Sequence, residues 1–91
     1  PAVDIGVATA IAGSFRNQTV DPYTVMIGEV GLTGEVRSVM KLEARLTEAE
    51  RLGFKRCVVP HSVREARLLN KNSSLSLIQV KTLSEAFDAV F

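Results

Sequence analysis

The apolar period changes repeatedly in the second half of the chain, and this limits the possible folds more than any other feature of the sequence. Val39, Leu42, Leu46, Ala49 and Leu52 recur every three or four residues, which places them on one face of an amphipathic helix. Gly53 follows where a left-handed residue closes such a helix. Phe54 to Val59 is then a short run, stopped by Pro60, that reads as a buried strand. Ser62 with Glu65 matches a capping box and opens a short helix through Leu69; Asn70 to Ser74 is a polar loop and Leu75 to Val80 a strand. Thr82 with Glu85 caps a last helix carrying Leu83, Ala86, Phe87 and Val90. The alternation predicts an α/β or α+β domain with helices on one face of a sheet.

The first half opens on Val3, Ile5, Val7, Ala8, Ile11, Ala12 and Phe15, a helical pattern expected to be buried on most sides and to belong to a domain whose upstream part is missing. Small residues at Gly6, Ala8, Ala10 and Ala12 would let a neighbour pack close, and Gly13 with the polar segment Arg16 to Asp21 ends the helix. Tyr23 to Val30 reads as one strand, with Gly28 marking a bulge or a close backbone approach. Gly31 to Gly34 makes a tight reversal into Glu35 to Val39. It lacks the Gly-Lys-Ser/Thr ending of a phosphate-binding loop.

At 91 residues the chain holds one small domain, and its 46% apolar content is that of a folded one. No apolar run is long enough for a spanning helix, and no basic stretch precedes one as in a secretory signal. The single Cys57 forms no internal disulfide, which leans toward a reducing compartment. Eleven Lys and Arg against ten Asp and Glu give a net charge of +1, so any contact with a polyanion depends on where the charges are placed.

Cys57 and His61 are the only residues of their types and lack the partners and spacing of a metal site. Cys57 lies in a predicted apolar strand, where burial makes a thiol inert, and His61 reads as a strand-end residue. Glu29 and Glu35 bracket the glycine turn; paired carboxylates can do acid–base work, but the simpler role is bonding to the turn or pairing with Arg37. The basic residues fall in rows: Lys41 and Arg45, Lys55 and Arg56, then Arg64, Arg67 and Lys71. Such rows can track phosphates, or they are plain solvated helix faces, interrupted here by Glu43, Glu48, Glu50 and Glu65.

Ile27-Gly-Glu-Val-Gly-Leu-Thr-Gly-Glu-Val-Arg37, then Leu42-Glu-Ala-Arg-Leu46 and Leu52-Gly-Phe-Lys-Arg-Cys-Val-Val-Pro60, resemble the Lon-protease-like C-terminal domain of the RadA (Sms) family of bacterial DNA repair proteins. Pro1-Ala-Val-Asp4, Ala8-Thr-Ala-Ile-Ala-Gly-Ser-Phe15 and Val80-Lys-Thr-Leu-Ser-Glu-Ala86 fit it too, so the likeness covers almost the whole chain. It implies an α+β fold, a two-layer α/β sandwich of the ribosomal protein S5 domain 2-like type, occupying residues 1–91 with its first strands cut off. The family motif comprises Gly28, Glu29, Gly31, Gly34, Glu35 and Arg37. In that family the domain follows a zinc-finger segment and a RecA-like ATPase core, so ATP, Mg and Zn would belong to the missing N-terminal portion and none to this chain. The implied partners are branched or single-stranded DNA and other copies of the protein in a hexameric ring in the bacterial cytoplasm, with no membrane.

The likeness to the Lon peptidase is read residue by residue. Ala2 falls at the nucleophilic serine, Asp4 at a motif glycine, Arg45 at the catalytic lysine, and Met40 and Lys41 at a glycine pair. A methyl group cannot attack a carbonyl, and a guanidinium stays protonated and cannot act as base. The expected role is therefore a non-proteolytic assembly and DNA-contact module, with Lys41, Arg45, Lys55, Arg56, Arg64, Arg67 and Lys71 as contact residues. The alternatives are a Lon-type serine peptidase fragment, which needs Ser14 or Ser62 as nucleophile, and an S5-like RNA-binding module, for which stacking aromatics are scarce. Arg45 itself either stands on a solvent flank with Lys41 or pairs internally with Glu48 or Asp4.

Overall fold

A computed structural model describes residues 3–62 and 74–91. The expected helix from Ser62 to Leu69 lies, apart from Ser62, outside the described residues, and so do the basic residues Arg64, Arg67 and Lys71 and Ala2 at the nucleophile position.

The opening apolar segment forms a two-residue strand, β1 (Val3–Asp4), running directly into helix α1 (Ile5–Arg16). Asp4 starts the helix: its Oδ1 accepts from the Val7 N–H at 3.1 Å, satisfying one of the donors a helix leaves free. Asn17, in the left-handed region at φ 53°, closes it. Ile5, Thr9 and Gly13 face inward. Gly13 is required there, because a Cβ would stand 2.8 Å from the Gln18 carbonyl oxygen. Burial on most sides is not observed. Val7, Ile11 and Phe15 form an exposed row on the outer face, Phe15 with 91% of its surface open.

The run expected as a single strand divides into β2 (Thr24–Met26) and β3 (Glu29–Val30), which belong to different sheets. Ile27 still donates to the Val58 carbonyl at 2.9 Å, whereas the Gly28 carbonyl accepts from the Ile5 N–H at 3.0 Å, so the chain changes sheets at Gly28. A Cβ at Gly28 would sit 3.1 Å from Val36 Cγ1, so the glycine marks the close approach its position suggested. β3 then turns through Gly31–Gly34 into β4 (Val36–Arg37). Sheet β1-β3-β4 is antiparallel, pairing Val3 with Val30, Val30 with Val36 and Glu29 with Arg37.

Helix α2 (Leu42–Arg51) begins later than Val39 because Lys41 is in the left-handed region at φ 56°. Gly53, at φ 93°, follows its C-terminus. β5 (Arg56–Pro60) and β6 (Ser76–Val80) pair in parallel, and β2 joins the other side of β5 to give the order β2-β5-β6. α3 (Leu83–Val90) starts at Thr82, whose Oγ1 accepts from the Glu85 N–H at 3.2 Å.

Side chains alternate across a strand, and β5 at the centre of the parallel sheet feeds two cores. Cys57 and Val59 pack with Leu42, Leu46 and Ala49 of α2, while Val58 packs with Ile5 of α1 and Ala86 of α3. The domain is of mixed α/β type as expected, but its helices cover both faces of this sheet rather than one. Val30 and Val36 of the antiparallel sheet close the second core.

Candidate functional site

The motif glycines build a turn rather than a ligand cradle. The Gly31 N–H donates to the Glu35 carbonyl at 2.9 Å and the Gly34 N–H to the Gly31 carbonyl at 3.0 Å, with Gly34 at φ 83°. Glu35 folds back over it: Oε1 accepts from the Thr33 hydroxyl at 2.8 Å and the Thr33 N–H at 3.1 Å, and Oε2 from Arg37 Nη2 at 3.3 Å. A side chain at Gly31 would run into both Glu35 and Arg37. The Thr33 hydroxyl, then the backbone, then the Arg37 charge hold the Glu35 carboxyl below its ordinary range. Glu29 is exposed and stands across from Arg37 in the register, whereas Glu35 bonds the turn and Arg37.

Cys57 is fully buried, and burial pushes its thiol up to about 12. His61 is exposed at the end of β5, donating its backbone N–H to Val80 at 2.9 Å. Among the described residues no group of three His, Cys, Asp or Glu could hold a metal ion.

Of the basic residues, the structure brings Lys41 and Arg45 together. Both are exposed, one turn apart at the start of α2, and both rim an apolar groove of about 350 Å³ floored by Val25, Ile27, Leu52 and Phe54. The internal partners considered for Arg45 are otherwise engaged. Asp4 caps α1, and Glu48 accepts from Arg51 through Nε at 2.9 Å and Nη2 at 2.5 Å. Arg56 is held by Asp21 and by the Thr24 hydroxyl, its Nε donating to the latter at 3.1 Å. Asp21 is in turn held below its ordinary range, first by the Tyr23 N–H and then by Arg56. Lys55 is exposed between α2 and β5, so these two adjacent basic residues have different surroundings.

The sequence pattern did not reveal the groove or a second one, of about 320 Å³, on the α1 side of β2 and lined by Gly6, Thr9, Ala10 and Met26. Val25 and Phe54 border both. Thr9 is 1% exposed, and its Oγ1 is the single buried side-chain polar atom lacking a hydrogen-bond partner among the described residues. A threonine in an otherwise apolar helical row was the available signal.

Residues 1–63 match the family described as "Subunit ChlI of Mg-chelatase". The chain is 44% identical over 88 residues, 97% of its length, to the DNA repair protein RadA of Halalkalibacterium halodurans. It is 40% identical over all 91 residues to RadA of Streptococcus pneumoniae, and 52% identical over 60 residues, 66% of the chain, to that of Synechocystis sp.. It spans 19%, 21% and 12% of the lengths of these relatives, in the order Halalkalibacterium, Streptococcus, Synechocystis. The chain belongs to the family of these DNA repair proteins RadA, and through residues 1–63 to the family described as subunit ChlI of Mg-chelatase.

Proposed function

We propose that this domain is a non-proteolytic Lon-like module of a RadA-type recombination and repair ATPase in the bacterial cytoplasm, supporting ring assembly and contact with branched or single-stranded DNA. One observation carries the reading: relatives named DNA repair protein RadA match 97% and 100% of the chain. ATP, Mg and Zn would be handled elsewhere in the longer parent. No described helix is long and apolar enough to cross a membrane. Arg45 stands at the position the resemblance gives to a catalytic lysine, and a guanidinium is no general base. What it offers is a planar fork of donors beside the Lys41 ammonium, both free of an ion pair among the described residues, which suits a phosphate backbone.

The test uses the full-length protein. Arg45→Ala should weaken binding to branched DNA at low salt, with a loss that shrinks as salt rises, and leave the melting temperature nearly unchanged. Unaltered DNA binding together with a large loss of stability would assign Arg45 to structure instead.

A further inference from the structure

We infer that Arg51 is a positioning residue for the Lys41 and Arg45 site: by holding the Glu48 carboxylate it keeps that group off Arg45 and leaves the Arg45 guanidinium open to a phosphate. The inference rests on the DNA-contact reading of this site.

Glu48 borders the same groove as Lys41 and Arg45 and follows Arg45 by three residues on α2. Side chains three apart on a helix are neighbours, so the carboxylate is within reach of Arg45. Lys41, one turn before Arg45, adds a second positive charge to the pull on it. An ion pair at Arg45 would occupy the donors that a phosphate needs. The structure shows a different pairing. Glu48 accepts from Arg51, three residues further on, with Nε donating to Oε2 at 2.9 Å and Nη2 to Oε1 at 2.5 Å. Both carboxylate oxygens are used in this two-point contact, and Arg45 has no ion pair among the described residues.

Helix physics accounts for the choice. Arg45-x-x-Glu48-x-x-Arg51 offers one carboxylate two arginines, and the acid preceding the base is the better order. Arg51 also stands in the last turn of α2, where the helix dipole favours a cation. The bonds from Arg51 are the first cause holding the Glu48 carboxyl below its ordinary range. The remaining neighbours of Glu48 at helical spacing are Ala44, Arg45 and Leu52. With Arg51 gone, Arg45 is the one among them that can take the carboxylate.

Binding of branched DNA to the full-length protein at low salt tests this as a mutant cycle. Arg51→Ala should weaken binding roughly twofold more with Glu48 in place than in a Glu48→Gln background. In an Arg45→Ala background that excess should vanish, since Glu48 acts through Arg45. An equal loss from Arg51→Ala with and without Glu48→Gln would mean that Arg51 meets DNA itself or acts through folding, and would overturn the proposal. An excess that survived Arg45→Ala would overturn it too. Arg45→Ala alone leaving DNA binding unaltered would remove the DNA-contact reading and this proposal with it, whereas a loss from Arg45→Ala without the Arg51 excess overturns the proposal alone.

Discussion

Cys57 and Lys41 show how far a residue's surroundings decide its chemistry. Cys57 lies on the central strand β5 and packs into the core beneath α2, and with its thiol pushed up to about 12 almost none of it is thiolate near neutral pH. A thiol reagent at pH 8 should therefore leave the native protein unmodified and label one group per chain after denaturation, a result read by absorbance or mass. Rapid stoichiometric labelling of the native protein would contradict this burial. Lys41 carries a strain that its sequence neighbours do not reveal. It sits at φ 56° with no side-chain bond capping α2, a conformation that costs a residue with a Cβ roughly 1 kcal/mol. Lys41→Gly should raise stability by up to about that amount in denaturant unfolding, since the turn into α2 would no longer be strained.

At the scale of elements, local chemistry predicted the helices better than the strands. Asp4 and Thr82 cap α1 and α3 through short-range bonds, to Val7 at 3.1 Å and Glu85 at 3.2 Å. Thr82→Ala should cost about 1 kcal/mol, measured as a lower unfolding midpoint with an unchanged slope. The Thr82–Glu85 spacing announced that cap in the sequence, and Gly53 announced the end of α2. The split of Tyr23–Val30 into two strands was not legible, because the division at Gly28 is made by bonds to Val58 and Ile5, both distant in sequence. For the same reason the groove could not be anticipated: Lys41 and Arg45 are visible as a helical pair, but their apolar floor comes from β2 and from Phe54, which follows α2. The fate of Arg56 was also hidden, since Asp21, its partner, lies 35 residues away. The role of Glu35 was legible, because Thr33, Gly31 and Arg37 all lie within a few residues of it.

For the molecule as a whole, charge governs both stability and contact. The carboxyls of Asp21, Glu35 and Glu48 are held below their ordinary values of 3.8, 4.5 and 4.5, so folding favours their ionised forms. Their contribution is fully present above those values and is lost as pH falls through the lower folded-state ones. The melting temperature should stay level down to about pH 5 and fall below about pH 4, with Asp21→Asn reducing the slope of that fall. A stability that rose on acidification would refute these assignments. The proposed DNA contact has a separate electrostatic signature. A net charge of +1 gives the domain little general pull on a polyanion, so attraction must come from cations placed together, and Lys41 and Arg45 are the pair the structure places so. Each phosphate neutralised releases condensed counterions, giving a slope of log affinity on log salt of about −0.9 per contact. Replacing both residues by Ala in the full-length protein should therefore make that slope shallower by nearly 2, with the largest loss of affinity at the lowest salt. An equal loss at every salt concentration would mean that the two residues act through folding or assembly, and a slope that did not change would remove α2 from the DNA-contacting surface.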